Sequence, residues 1–131
     1  MIETEKTEKI TINLGPVDLG QIDLLVQEGF YSNRTDFIRT AIRNQLTTHA
    51  EVVKSTTARK TLVLGAQYYT RRDLEAVRVA GEKLQINVLG LASIAGDVSP
   101  ELALATIDSV VVLGAFRASR EVKAALASRT T

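Results

Sequence analysis

Lys9-Ile10-Thr11-Ile12-Asn13-Leu14, followed at once by Gly15-Pro16, is the stretch whose reading decides the fold. Ile10, Ile12 and Leu14 alternate with Lys9, Thr11 and Asn13, so a strand here has one apolar and one polar face. A single strand of this length ahead of helices cannot satisfy its own backbone donors and acceptors. The economical solution is to pair with the same strand of a second copy of the chain. Such a pair buries Ile10, Ile12 and Leu14 and offers Lys9, Thr11 and Asn13 outward as a two-stranded ribbon. A ribbon of that width fits the major groove of B-DNA.

Two helical patterns follow the strand. Gly15-Pro16 stops it, and proline is tolerated in a first helical turn because its missing donor would be unsatisfied there anyway. Val17, Leu19, Ile22, Leu25 and Val26 recur at helical spacing, with Asp18 and Asp23 on the polar side, and Gly29 ends the helix as a left-handed cap. The next helix opens at Ser32-Asn33-Arg34-Thr35-Asp36, with Ser32 as the expected N-cap and Asp36 in the positive first turns. Its apolar stripe is Phe37, Ile38, Ala41, Ile42 and Leu46. The expected dimer core is therefore Ile10, Ile12 and Leu14 from the strand with Phe37, Ile38 and Ile42 from the second helix.

Residues 9–46 resemble a ribbon-helix-helix domain of the CopG/MetJ/Arc type, most specifically over Gly29-Phe30-Tyr31-Ser32-Asn33-Arg34-Thr35-Asp36-Phe37-Ile38-Arg39. Families of this kind bind operator DNA as dimers. They read bases with outward strand residues and clamp phosphate with the amides that open the second helix. Carried over, the resemblance implies Lys9, Thr11 and Asn13 as base readers and Ser32, Asn33 and Arg34 as the phosphate clamp. Many such domains carry an arginine in the ribbon where this chain has Asn13, and asparagine reads adenine bidentately.

Charge and composition bound the alternatives. Over residues 1–50 there are five basic side chains (Lys6, Lys9, Arg34, Arg39, Arg43) against seven acidic ones (Glu3, Glu5, Glu8, Asp18, Asp23, Glu28, Asp36), a net charge of −2. Phosphate neutralisation dominates DNA affinity, so this segment attracts DNA weakly at long range. From Lys54 to Arg72 there are five basic residues and no acidic one, and Lys54, Arg59 and Lys60 are candidates for contact with flanking phosphate. The chain has no cysteine and one histidine, His49, so neither a thiolate metal site nor a cysteine nucleophile can form. Nickel-sensing relatives hold metal through His and Cys; no metal, no cofactor and no enzymatic activity are expected here. No membrane span and no signal peptide are legible, and the expected location is the cytoplasm.

The remaining sequence repeats itself. Val-Leu-Gly occurs at residues 63–65, 88–90 and 112–114, intervals of 25 and 24 residues. Each copy follows a strand-like run and precedes a helix start with a capping hydroxyl, at Thr70, Ser99 and Ser119. Gly65, Gly90 and Gly114 match neither a dinucleotide nor a phosphate-loop pattern. They are better read as positions that need special backbone angles or close packing. Tyr68 and Tyr69 beside Arg71 and Arg72 form one candidate recognition cluster for nucleic acid or an anionic ligand.

The expected architecture is α+β. Residues 1–7 are a flexible tail and residues 8–50 a ribbon-helix-helix domain forming an intertwined dimer. Residues 51–60 are a linker. Residues 61–131 are a small α/β oligomerisation or effector domain of three strand-loop-helix repeats, a short solenoid-like parallel sheet; a compact three-layer α/β domain with the same element order is the alternative. Open sheet edges invite pairing, and the uncharged run Val110-Val111-Val112 is the expected self-association surface. The leading functional expectation is a sequence-specific DNA-binding regulator whose partners are double-stranded DNA and further copies of itself. The alternative is a self-assembling scaffold in which the first domain only dimerises.

Overall fold

The computed structural model describes residues 7–131, and the tail expected at residues 1–7 lies, apart from Thr7, outside them. The chain divides into two compact units that part between Ser55 and Thr56.

The first unit contains α1 (Pro16–Gln27) and α2 (Arg34–Thr48). Pro16 occupies the first turn of α1 with Asp18 beside it, and Gly29 closes the helix at φ +89°. The Gly29 amide donates to the Val26 carbonyl and the Phe30 amide to the Leu25 carbonyl, the paired bonds of a Schellman ending. The N-cap of α2 is Asn33, one residue later than expected: its side chain accepts the Asp36 amide. Ser32 instead donates its own amide to Asp36 Oδ2, so the capping contacts are shifted along by one residue.

Lys9–Leu14 carries no strand pairing within one copy, and Ile10, Ile12 and Leu14 are 74%, 55% and 42% exposed. Among the described residues of this unit, Ile22 alone is buried. A unit of that size with one buried side chain has no core of its own.

The stretch expected as a linker is helical: α3 spans Ala50–Arg59. No glycine or proline interrupts residues 50–60, and the helix runs to Arg59 before Thr61, at φ +56°, turns the chain.

The second unit holds β1 (Val63–Tyr69), α4 (Arg71–Val79), β2 (Leu84–Ile94), α5 (Pro100–Thr106), β3 (Ile107–Arg117) and α6 (Arg120–Ala125), then a short 3₁₀ turn, Ala127–Arg129. The strands form one parallel sheet in the order β1-β2-β3. Gly65 lies opposite Gly90, and Gly90 opposite Gly114, so the three Val-Leu-Gly tripeptides are neighbours across the sheet. The strands do not end at these glycines, as the sequence suggested, but continue several residues beyond them.

Thr70, Ser99 and Ser119 each cap a helix by accepting the amide three residues on. Thr70 and Asp73 form a full capping box. Ile86, Val88, Ala92 and Ile94 of β2 and Val110 of β3 meet Leu74, Leu102, Ala103, Val122 and Leu126 of the helices in one buried cluster. The helices therefore cover one face of the sheet.

Candidate nucleic-acid interface

The sequence gives three apolar side chains on one face of the strand and three on the stripe of α2, and the structure brings the six together. Ile10, Ile12, Leu14, Phe37, Ile38 and Ile42 all line one trough of about 950 Å³, together with Ile22 and Leu25 of α1. Phe37 and Ile38 are half-buried and Ile42 is 45% exposed. Burying a side chain of this size fully is worth about 1.5–3 kcal/mol. Ile10, Ile12, Leu14 and Ile42 thus leave a large stabilisation unused in one copy. Thr11 and Asn13 are exposed and do not line the trough, whereas Lys9, also exposed, lines it beside Glu8.

The start of α2 is more committed than the sequence suggested. Arg34 donates from Nε and Nη2 to both carboxylate oxygens of Asp23, at 2.8 and 2.9 Å. This fork joins α1 to α2, and the Arg34 hydrogen bonds hold the Asp23 carboxyl below its ordinary range. The same contact raises the Arg34 guanidinium. Arg34 therefore commits two of the five donors of its head to a protein carboxylate, and the Ser32 amide is spent on Asp36. The first amides of α2 have no helical acceptor, because a first turn leaves its donors unmatched. Tyr31 packs edge-on against Phe37, ring centroids 5.0 Å apart, and fixes the loop ahead of this turn.

Lys54 lies in α3, Arg59 is its last residue and Lys60 follows it, all three exposed. His49 caps the end of α2, with its Nε2 3.3 Å from Gln45 Nε2. Among the described residues, no group of three or more His, Cys, Asp or Glu side chains could hold a metal ion, and no helix is long and apolar enough to cross a membrane.

The aromatic-arginine cluster does not assemble. Tyr69 packs against the core, where burial raises its phenol above the usual range, while Tyr68 lies on the opposite face, 49% exposed. Arg71 faces Asp97 at 3.9 Å across a shallow pocket also lined by Arg72 and Glu75. In the expected self-association run, Val110 is fully buried and its carbonyl accepts the Thr131 amide. Its side chain is unavailable to a partner; Val111 and Val112 are half-buried. The alternation of β3 turns Val110 toward the helices, which an all-valine run cannot reveal.

The model of the Ribbon-Helix-Helix transcriptional regulator family matches residues 5–123. The chain belongs to that family. The match extends through the second unit, well beyond the segment whose motifs carried the resemblance. An uncharacterized protein of Methanocaldococcus jannaschii is 42% identical over 40 residues, which are 30% of this chain and 41% of that protein. The shared stretch is thus less than half the length of that relative. No solved structure matches the chain.

Proposed function

We propose that this member of the ribbon-helix-helix regulator family is a sequence-specific DNA-binding transcriptional regulator that acts as a dimer. The observation that carries the reading is the unpaired stretch Lys9–Leu14, whose apolar side chains line an open trough while Thr11 and Asn13 stay exposed outside it. The same stretch of a second copy completes both its backbone pairing and the trough, and the paired strands enter the major groove. Lys9, Thr11 and Asn13 read base edges.

Phosphate contact falls to the Ser32 hydroxyl and the first amides of α2 near Asn33 and Arg34, with Lys54, Arg59 and Lys60 on flanking backbone. The Arg34 guanidinium, two of whose five donors Asp23 holds, joins more fully when Asp23 releases it. The second unit is a stack of three strand-helix repeats, and it joins dimers into higher oligomers on the DNA. Family membership supports regulation over the scaffold alternative, in which DNA binding has been lost.

The test is fluorescence anisotropy with operator and random duplexes. Thr11→Ala and Asn13→Ala are expected to abolish discrimination while the protein remains dimeric, because both side chains face away from the trough. Unchanged discrimination in both variants overturns the readout.

A further inference from the structure

The three sheet glycines share one unusual backbone conformation but have unequal surroundings. Gly65, Gly90 and Gly114 have φ of +128°, +139° and +124°. A Cβ on Gly90 would lie 2.2 Å from the Gly65 carbonyl oxygen, and one on Gly114 would lie 2.1 Å from the Gly90 carbonyl oxygen. Each glycine therefore admits the carbonyl of the preceding strand, which is why no side chain fits there. Gly65 has the same conformation, yet among the described residues nothing lies within 4 Å of its Cβ position. By the same geometry its open side faces the free edge of β1. The Gly114 carbonyl, the last of the series, faces the free edge of β3.

We infer that β1 of one copy accepts β3 of a second copy, parallel and in the same register, so that Gly114 of one chain seats its carbonyl against Gly65 of the next. The sheet order β1-β2-β3 then continues across copies.

Two further observations fit this occupant. The register sets Val63–Tyr69 against Val88–Ile94, and Val88 against Val112, so the incoming edge begins at Val112. On the outer edge of β3, Thr130 bridges Val110 and the Thr131 amide donates to the Val110 carbonyl, a contact that lies ahead of Val112. On the sheet face away from the helices, Leu64, Leu89 and Leu113 form one row and Ala66, Leu91 and Ala115 the next. Leu64 is 73% and Leu113 52% exposed, and continuing the sheet extends both rows. Such head-to-tail pairing does not close on a two-fold axis, so it links dimers into a ring or an open row. It deepens the proposal that the second unit self-associates, and DNA binding does not enter it.

The chain has no cysteine, so engineered thiols report this contact without background. Within one copy, positions 64 and 113 are separated by β2, two strand spacings or roughly 10 Å, beyond the ~7 Å a disulfide tolerates. Across the inferred junction Leu64 and Leu113 are direct neighbours, within disulfide reach. Full-length Leu64→Cys, Leu113→Cys and the double variant, each checked by circular dichroism for the wild-type fold, are oxidised in a glutathione buffer and run on non-reducing gels. Light scattering gives the wild-type mass.

The expected result is a ladder of covalent oligomers from the double variant, a single cross-linked dimer from the mixed single variants, and monomer from either single variant alone. Cross-linking of Leu113→Cys alone to the same extent indicates face-to-face packing and overturns the edge geometry, while self-association stands. No cross-link with a wild-type mass above the dimer overturns the edge geometry in the same way. No cross-link with a strictly dimeric wild type overturns self-association altogether.

Discussion

Replacing Gly90 with alanine is the sharpest test of how the second unit is built. Two costs add. At φ +139° the backbone sits where only glycine is comfortable, a cost of about 1–3 kcal/mol for any other residue. The new Cβ would also lie 2.2 Å from the Gly65 carbonyl oxygen, where ordinary contact begins at 3.4 Å, so β1 and β2 must part by more than 1 Å. Overpacking of that kind costs about 1–3 kcal/mol. The sum, roughly 4 kcal/mol, is a large share of the 5–15 kcal/mol typical of a whole domain.

Gly81→Ala is the internal control. Gly81 is also left-handed, at φ +71°, but nothing lies within 4 Å of its Cβ position. It bears only the left-handed penalty of about 1–2 kcal/mol. At roughly 3–5 °C per kcal/mol for a chain of this size, Gly90→Ala is expected to melt about 10 °C below Gly81→Ala by circular dichroism. Equal melting temperatures would refute the carbonyl-seating argument.

Three further outcomes are expected. Asp23→Asn removes the carboxylate that holds Arg34 Nε and Nη2, and one freed guanidinium on phosphate makes the slope of log K against log salt steeper by about 0.9; an unchanged slope shows that releasing Arg34 adds no phosphate contact. The Asp73 carboxyl is held below its ordinary value of 3.8 by the Thr70 amide and hydroxyl. Its contribution is therefore present above that value and lost as pH falls through the lower folded value, so the stability gap between wild type and Asp73→Asn narrows below about pH 4 in denaturant titrations at several pH values. Ile12→Asp sets a charge in the trough that Ile10, Leu14, Phe37 and Ile38 line, and sedimentation is expected to show loss of the dimer.

How much of this was legible in the sequence differs by feature. The three Val-Leu-Gly tripeptides announced themselves by spacing, because lateral neighbours in a stack share a period. The caps at Thr70, Ser99 and Ser119 were legible because capping is local, within three residues. Ser32 was mistaken for the cap of α2 because Ser32 and Asn33 are both good caps, and only the Asp36 contacts decide between them. The helix α3 was hidden by Ser55, Thr56 and Thr57, which are weak helix formers that nevertheless break nothing. Local pattern could not show the Arg34–Asp23 fork, which depends on how two helices meet. Nor could it show that Thr131 seals Val110, a contact between segments about 20 residues apart.

The central claim is that the exposed side of Lys9–Leu14 reads DNA sequence, and one binding experiment meets it directly. The purified full chain is titrated against a duplex from its own promoter and against random duplex, across a salt series. The account predicts a clear preference for the promoter, retained as salt rises, with both affinities falling linearly on logarithmic axes. Equal affinity for the two duplexes, or no binding at low salt by a protein that is still dimeric, would contradict it.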